Sequence, residues 1–328
     1  MNETIADFDV LMPIEGIGNI GGAVEKRMKL HRLWREQDPT AAIDRLGPKI
    51  RGIAATGHLA TVDAELMRRL PKLEIVASFG VGYDHVDARW AAEHGIIVTH
   101  TPGVLDEEVA DTAFGLLLST VRELPRAERY LREGRWLKAN YPLTASLRGR
   151  TMGILGLGRI GKAIARRAVA FGLDVVYHGR KPQEGAPYLY YPTLVGMAGA
   201  CDILMVVAPG GAQTRNIINR HILEALGPDG VLINVSRGSL VDEDALIEAL
   251  KSKKILAAGL DVFSDEPNVP EGLLTLDNAV LLPHVGSASH RTRQAMADLV
   301  VANLYSWIDG KGPLTPVPET PWNGDKAS

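Results

Sequence analysis

"TMGILGLGRIGKAIARRAVAFGLDVVYHGRKP", residues 151–182, is the stretch whose reading decides the fold. An apolar run, Met152–Leu155, leads into Gly156, Gly158 and Gly161 in G-x-G-x-x-G spacing. A helical pattern from Lys162 to Ala170 and a second apolar run, "DVVYH", follow. Glycine-rich turns abound, so the triplet alone says little; the strand–turn–helix–strand context is what a dinucleotide-binding fingerprint requires. Gly156 permits the tight turn, Gly158 lets backbone approach a pyrophosphate, and Gly161 lets helix and strand pack closely. The helix N-terminus then offers unpaired N–H groups to the phosphates. Gly156, Leu157, Gly158, Arg159 and Ile160 are thus expected to form the phosphate loop.

The second strand ends in Gly179, Arg180 and Lys181. About 20 residues past the glycines, an Asp or Glu ordinarily accepts a hydrogen bond from a ribose 2′-hydroxyl. Arg180 cannot do that, but it can pair bidentately with a 2′-phosphate. Lys181 adds charge, and Gly179 leaves room for the bulkier group. The pair reads as a preference for NADP(H) over NAD(H), against the plainer alternative of two solvated loop cations.

Outward from this unit the pattern repeats. "DILMVVAP", "GVLINVS", "AAGLDVF" and "AVLLPHV" look like further buried strands with helices between them. In the first hundred residues "IRGIAA" (50–55), "LEIVASF" (73–79) and "GIIVTH" (95–100) look the same, with a helix capped by Thr61 between the first two. Strands alternating with helices imply an α/β fold of parallel, doubly wound sheets. "LDEEVADTAFGLLLSTVREL" (105–124) reads as one long helix with acidic residues in its first turn. A final helix from about His290 to Ile308 is long enough to return to the first domain. The expected organisation is a dinucleotide-binding domain, 102–287, inserted in a flavodoxin-like substrate domain formed by 1–101 and 288–328, with a cleft between them.

Totals narrow the function classes. The chain of 328 residues is 46% hydrophobic with a net charge of −3, which gives no electrostatic reason to expect nucleic acid. A single cysteine, Cys201, excludes an internal disulfide and a cysteine metal cage; it reads as an inert buried thiol. The acidic N-terminus lacks signal-peptide order and no apolar run reaches bilayer length. The expectation is a cytoplasmic protein with no membrane partner and no metal.

Three segments carry the chemistry. Arg237 follows the strand in "INVSRGSLVDEDAL", Glu266 follows that in "GLDVFSDEP", and His284 follows that in "LLPHVGSASH". All three lie past strand carboxyl ends, where open α/β sheets bind ligands. A guanidinium fork suits a carboxylate beside a carbonyl, and an imidazole beside a carboxylate suits proton donation. No G-x-S-x-G elbow or metal-like His/Asp cluster competes with them.

These pieces, with "SFGVGYDHVD" and "TPGVLDEEVAD", make the chain resemble the D-isomer-specific 2-hydroxyacid dehydrogenase family over nearly its whole length. "VADTAFGLLL", the basic second-strand end and "HVGSASHRTRQAM" most resemble its NADPH-preferring glyoxylate/hydroxypyruvate reductases, with hydroxyphenylpyruvate reductases as neighbours. The resemblance implies that Arg237 binds the substrate carboxylate and polarises the 2-oxo group, that His284 donates the proton, and that Glu266 pairs with the imidazole. It implies that N–H groups around Val81 and Gly82 hold the carboxylate and that Asp261 bonds the nicotinamide amide; Ser287, three residues past His284, is a candidate to touch substrate. It also adds Ala208, Pro209, Thr214, Val235, Ser236 and Gly286, besides Arg237 and His284 themselves, to the cofactor-binding set, and implies a homodimer.

His290 and Arg293 are further candidates for lining the substrate pocket, and Trp136 for a pocket role or plain packing; His58, His94, His100 and His221 read as surface or structural. The implied activity is reduction of glyoxylate or hydroxypyruvate to a D-2-hydroxy acid. The alternatives are a hydroxyphenylpyruvate or phenylpyruvate reductase and, from another class, a dinucleotide-sensing binding protein resembling corepressors of this fold. "DEP" provides Glu266 where related formate dehydrogenases carry Gln.

Overall fold

A computed structural model of the chain describes residues 6–16, 18–57 and 60–324. The chain divides into two compact units, one from Met1–Leu105 with Ser289–Ser328 and one from Asp106–Ala288.

The first unit is built on five parallel strands, β1 (Asp9–Met12), β2 (Lys29–Arg32), β3 (Ile50–Ala55), β4 (Ile75–Ser78) and β5 (Ile97–Thr99), in the order β2-β1-β3-β4-β5. This is the flavodoxin-like order, with its reversal between β1 and β3. β1 and β4 are buried along their whole length, as strands covered on both faces must be. β2, "KLHR", stands at the sheet edge and is half-exposed, so its polar residues gave no apolar run to read. The helix His290–Ile308 packs on β4 and on the helix Ile20–Glu25. Trp307 donates from Nε1 to Glu74 Oε2 at 2.8 Å, which satisfies the indole of a nearly buried ring.

The second unit holds seven parallel strands, β6 (Thr151–Leu155), β7 (Asp174–His178), β8 (Leu189–Tyr190), β9 (Ile203–Val206), β10 (Val231–Asn234), β11 (Ala257–Leu260) and β12 (Ala279–Leu281). Their order is β12-β11-β10-β9-β6-β7-β8. The direction of winding reverses between β6 and β9, so the loops leaving those two strands flank the switch point where doubly wound sheets bind ligands. The helix Asp106–Val121 lies against β11, where a Cβ on Gly259 would stand 2.6 Å from Thr120 Oγ1 and 2.8 Å from Leu116 Cγ. It also packs along the helix Arg159–Ala170. Phe114 meets Phe171 at 5.0 Å, and Glu107 and Asp111 pair with Arg166 and Arg167.

Two local expectations need correction. The helix Ala64–Arg68 is capped by Asp63, whose carboxylate accepts from Leu66 N at 2.9 Å, and not by Thr61. The intervening Val62 bridges to Val86 in extended conformation, which puts Thr61 too early to cap. The long helical pattern does not run through to Leu124. It stops at Val121; Glu123 takes a left-handed conformation (φ 51°), and a separate helix, Leu124–Arg132, starts with Pro125 in its first turn.

Candidate active site

The glycine loop after β6 explains itself sterically. Gly156 has φ +98°, and a Cβ there would lie 2.9 Å from the backbone of Ala208, two residues past the end of β9. A Cβ on Gly161 would stand 2.2 Å from Gly156 O, so only glycine lets the helix come this close to the turn. Nothing lies within 4 Å of a Cβ on Gly158, which is exposed at the start of the helix Arg159–Ala170. The first and third glycines are thus demanded by packing, while the second leaves open space beside helix N–H groups, as a bound pyrophosphate needs. Arg159 reaches back to Asp106 Oδ2 at 2.8 Å, and among the described residues Asp106 Oδ1 has no partner.

At the end of β7, Gly179 also has nothing within 4 Å of its Cβ position, and Arg180 and Lys181 are both exposed. Among the described residues neither cation forms an ion pair. The donor set of open glycine turn, helix N-terminus and two cations therefore fits a dinucleotide carrying an extra phosphate.

Arg237, Glu266 and His284 leave the neighbouring strands β10, β11 and β12. Their loops are tied to one another. Asn234, fully buried at the end of β10, accepts from Ser236 N at 3.0 Å and Ser236 Oγ at 2.9 Å and donates to Arg237 O at 2.9 Å. This folds the chain back so that Arg237 leaves the strand end at a fixed angle. Gly238 then touches the next loop; a Cβ on it would be 1.8 Å from Phe263 C. Phe263 N donates to Glu266 Oε1 at 3.0 Å, and His284 Nδ1 lies 2.6 Å from Glu266 Oε2. One carboxylate thus joins the β11 loop to the imidazole and fixes the ring's orientation, with Nε2 the nitrogen remote from Glu266.

His284 itself has φ 54°, a left-handed conformation unusual for a residue with a side chain. Asp261 holds it there. Its backbone O accepts from His284 N at 2.9 Å, Oδ1 from Val285 N at 2.7 Å and Oδ2 from Gly286 N at 2.8 Å. Burial raises the Asp261 carboxyl above the usual carboxylate range, against the opposing pull of those two N–H donors. Both oxygens of a side chain 1% exposed are engaged by the turn that carries His284.

The other expected residues fall as follows. Ala208 and Val235 are buried just past the ends of β9 and β10, and Pro209 is exposed. Thr214 turns its hydroxyl into its own loop, donating to Pro209 O at 2.9 Å. Gly286 O accepts from Thr112 Oγ1 at 3.1 Å, and Ser287 is half-buried. Trp136 is 63% exposed in a short turn following the helix Leu124–Arg132. In the first unit, Val81 and Gly82 follow β4 and are partly exposed; among the described residues no hydrogen bond takes up either N–H. Thr101 anchors the loop at Gly80 through N–H···O bonds of 3.0 and 2.8 Å, and the His100 ring Nδ1 lies 2.9 Å from Val81 O. His290 is exposed at the start of the last helix, and the Arg293 guanidinium lies 5.6 Å from the centre of the Phe79 ring, one residue before Gly80. His58 lies outside the described residues. No cluster of His, Cys, Asp or Glu among the described residues could hold a metal.

Sequence reasoning missed Asn234, and it gave Asp261 a role toward the cofactor without its hold on the His284 turn. The readable signal was a polar residue ending each of two otherwise apolar strands, since a buried amide or carboxylate persists only where it is hydrogen-bonded.

The family model for the D-isomer specific 2-hydroxyacid dehydrogenase NAD binding domain matches residues 114–286. The chain is 46% identical to glyoxylate/hydroxypyruvate reductase A of Arabidopsis thaliana over 308 residues, 94% of this chain and 98% of that protein. It is also 46% identical to the hydroxyphenylpyruvate reductase of Plectranthus scutellarioides over 294 residues, 90% and 94% of the two chains. The solved structure of the NADPH-dependent glyoxylate/hydroxypyruvate reductase of Sinorhizobium meliloti, in complex with NADP and malonate, superposes with a TM-score of 0.89 at 49% identity, covering 97% of this chain and 98% of that one. Matches of this identity and coverage carry both sheets and all three strand-end loops together. The chain therefore belongs to the D-isomer-specific 2-hydroxyacid dehydrogenase family.

Proposed function

We propose that the protein reduces small 2-oxo acids, glyoxylate and hydroxypyruvate foremost, to D-2-hydroxy acids with NADPH. The carrying observation is the His284–Glu266 pair at 2.6 Å, on the strand-end loops next to the one bearing Arg237. NADPH, when bound, supplies the hydride. Arg237 holds the substrate carboxylate and draws electron density from the 2-oxo group. His284 gives the proton from Nε2 to the carbonyl oxygen as the carbon is reduced, and Glu266 stabilises the positive ring through Nδ1. The N–H groups of Val81 and Gly82 take the substrate carboxylate, and Ser287 lines its site. Gly156, Leu157, Gly158, Arg159 and Ile160 hold the pyrophosphate, and Arg180 with Lys181 takes the 2′-phosphate. Ala208, Pro209, Thr214, Val235, Ser236, Asp261 and Gly286 complete the cofactor contacts.

The test is kcat/KM for glyoxylate, hydroxypyruvate and phenylpyruvate with NADPH and with NADH, followed at 340 nm. Folded protein that binds NADPH but turns over none of the three acids refutes the proposal. The equal identity to a hydroxyphenylpyruvate reductase favours a second reading, in which the aromatic acid is preferred; the phenylpyruvate arm decides it.

We further propose a cytoplasmic homodimer. Leu124, Leu131, Trp136, Leu137 and Leu143, on the helix Leu124–Arg132 and the chain after it, are all at least half exposed. Apolar groups clustered along one segment favour a protein partner, and a second copy is the simplest. Light scattering at the monomer mass would refute it. Among the described residues no helix is long and apolar enough to cross a membrane.

A further inference from the structure

The loop that carries Arg180 and Lys181 is held at both ends and in one unexpected place. Tyr190 donates its hydroxyl to Gly179 O at 3.2 Å, just before the cations. Just after them, Gln183 N donates to the hydroxyl of Tyr177 at 2.7 Å. Tyr177 is a β7 side chain almost wholly buried, and its ring meets that of Tyr190 at 5.3 Å. The third bond differs in kind. Gln183 Nε2 donates at 2.7 Å to the backbone oxygen of Leu157, between Gly156 and Gly158. A side chain of the cation loop therefore grips the backbone of the glycine loop.

We propose that Gln183 is a positioning residue for cofactor selection: it sets the distance between the pyrophosphate-binding turn and the cation pair that reads the 2′-phosphate. This rests on the reading of Arg180 and Lys181 given above. A long, exposed Arg and Lys lose much side-chain and loop freedom when they close on a phosphate. A loop already tied at Gly179 and Gln183, and through Gln183 to Leu157 of the glycine loop, has surrendered much of that freedom beforehand, so more of the charge-assisted bonding appears as affinity. The glycine turn is common to NADPH and NADH, whereas the cation loop engages only the phosphate that NADH lacks. Cutting the tie between them should penalise NADPH selectively.

The experiment titrates the purified full chain with NADP⁺ and NAD⁺ by calorimetry, for the wild type, Gln183→Ala and Tyr177→Phe, with steady-state kinetics alongside. Loss of one hydrogen bond of this kind should weaken NADP⁺ by about fivefold and NAD⁺ by no more than about twofold. The kinetic effect should fall on KM for NADPH rather than on kcat. Tyr177→Phe, which leaves the Leu157 bond in place but loosens the loop's end, should shift the ratio in the same direction by less. An equal loss for both nucleotides would mean that Gln183 serves the glycine turn alone, and it would overturn the proposal; so would an unchanged ratio. A wild type with no NADP⁺ preference would instead remove the cofactor reading itself, and is seen before any variant is made.

Discussion

Gly238→Ala tests whether the loops of Arg237 and Glu266 work as one body. The added Cβ would lie 1.8 Å from Phe263 C, 2.1 Å from Phe263 O and 2.3 Å from Ser264 N. Ordinary contact begins near 3.4 Å, so the two backbones must part by about 1.6 Å, and all three obstacles are backbone atoms, none a flexible side-chain end. Phe263 N is bonded to Glu266 Oε1, and Glu266 Oε2 to His284 Nδ1, so the displacement passes into the acid itself. A misplacement of about 1 Å costs on the order of 100-fold in rate, whereas overpacking costs about 1–3 kcal/mol of stability. The variant should therefore fold, lose a few degrees of Tm, and lose about 100-fold in kcat with glyoxylate at saturating NADPH. Gly115→Ala is the control. It lies inside the helix Asp106–Val121 with nothing within 4 Å of its Cβ position, and should gain about 0.5–1 kcal/mol without changing kcat. A Gly238→Ala enzyme within threefold of wild-type kcat would refute the coupling of the two loops.

Four shorter tests accompany it. Arg180→Asp replaces a phosphate partner with a repelling charge and should cut kcat/KM for NADPH by about 100-fold while leaving NADH within about threefold; an unchanged cofactor ratio would contradict the cation-pair reading. His284→Gln should lower kcat by about 10²–10⁴-fold, the usual worth of a positioned proton donor; a kcat within threefold of wild type would contradict that role. Burial pushes the Cys201 thiol up to about 12, so the native chain should resist a thiol reagent at pH 8 and the urea-unfolded chain should react at one site; fast native labelling would show Cys201 to be open. Glu107, bonded to Arg167, has its carboxyl lowered below the usual range, so its pairing stabilises at neutral pH and fades as the pH falls through that lowered value. Because the group is exposed, Glu107→Gln should reduce stability only slightly at pH 7, and the difference from wild type in urea titrations should vanish in strong acid.

How much of this was legible followed from how locally each feature is encoded. The strand–glycine–helix unit at residues 151–182 could be read directly because every determinant sits within one supersecondary element. Gly156, Gly158 and Gly161 are distinguished by turn geometry, close packing and open space, and the sequence spacing carries all three. Most of the buried strands were visible because parallel strands covered on both faces become continuous apolar runs; β1, buried throughout but only four residues long and opening on Asp9, was missed. The edge strand β2 and the two-residue β8 were not, since a half-exposed or very short strand has no such run. The break at Glu123 was hidden because the apolar pattern continues across it; only Pro125 hinted at a new first turn. Arg237, Glu266 and His284 were found by residue type and strand-end position. Their ties through Asn234, Gly238 and Asp261 are contacts between separate strand-end loops, and spacing along one strand does not encode those.

Asp261 accounts for why His284 can stand where it does. A residue with a side chain in the left-handed region costs about 1–2 kcal/mol and would relax if the turn were free. The turn is not free: the two residues after His284 each donate a backbone N–H to one oxygen of a single carboxylate, and His284 N donates to the same residue's carbonyl. Charge-assisted bonds of this sort contribute about 1.5–3 kcal/mol each, enough together to outweigh the strained backbone. The opposing cost is the burial of Asp261, visible in its raised carboxyl. Glu266 could not supply this restraint. It fixes only the ring's rotation through Nδ1, whereas direction of approach depends on the backbone that launches the ring. His284 is thus set by two carboxylates with separate tasks, one fully buried and gripping the main chain, the other partly buried and gripping the imidazole.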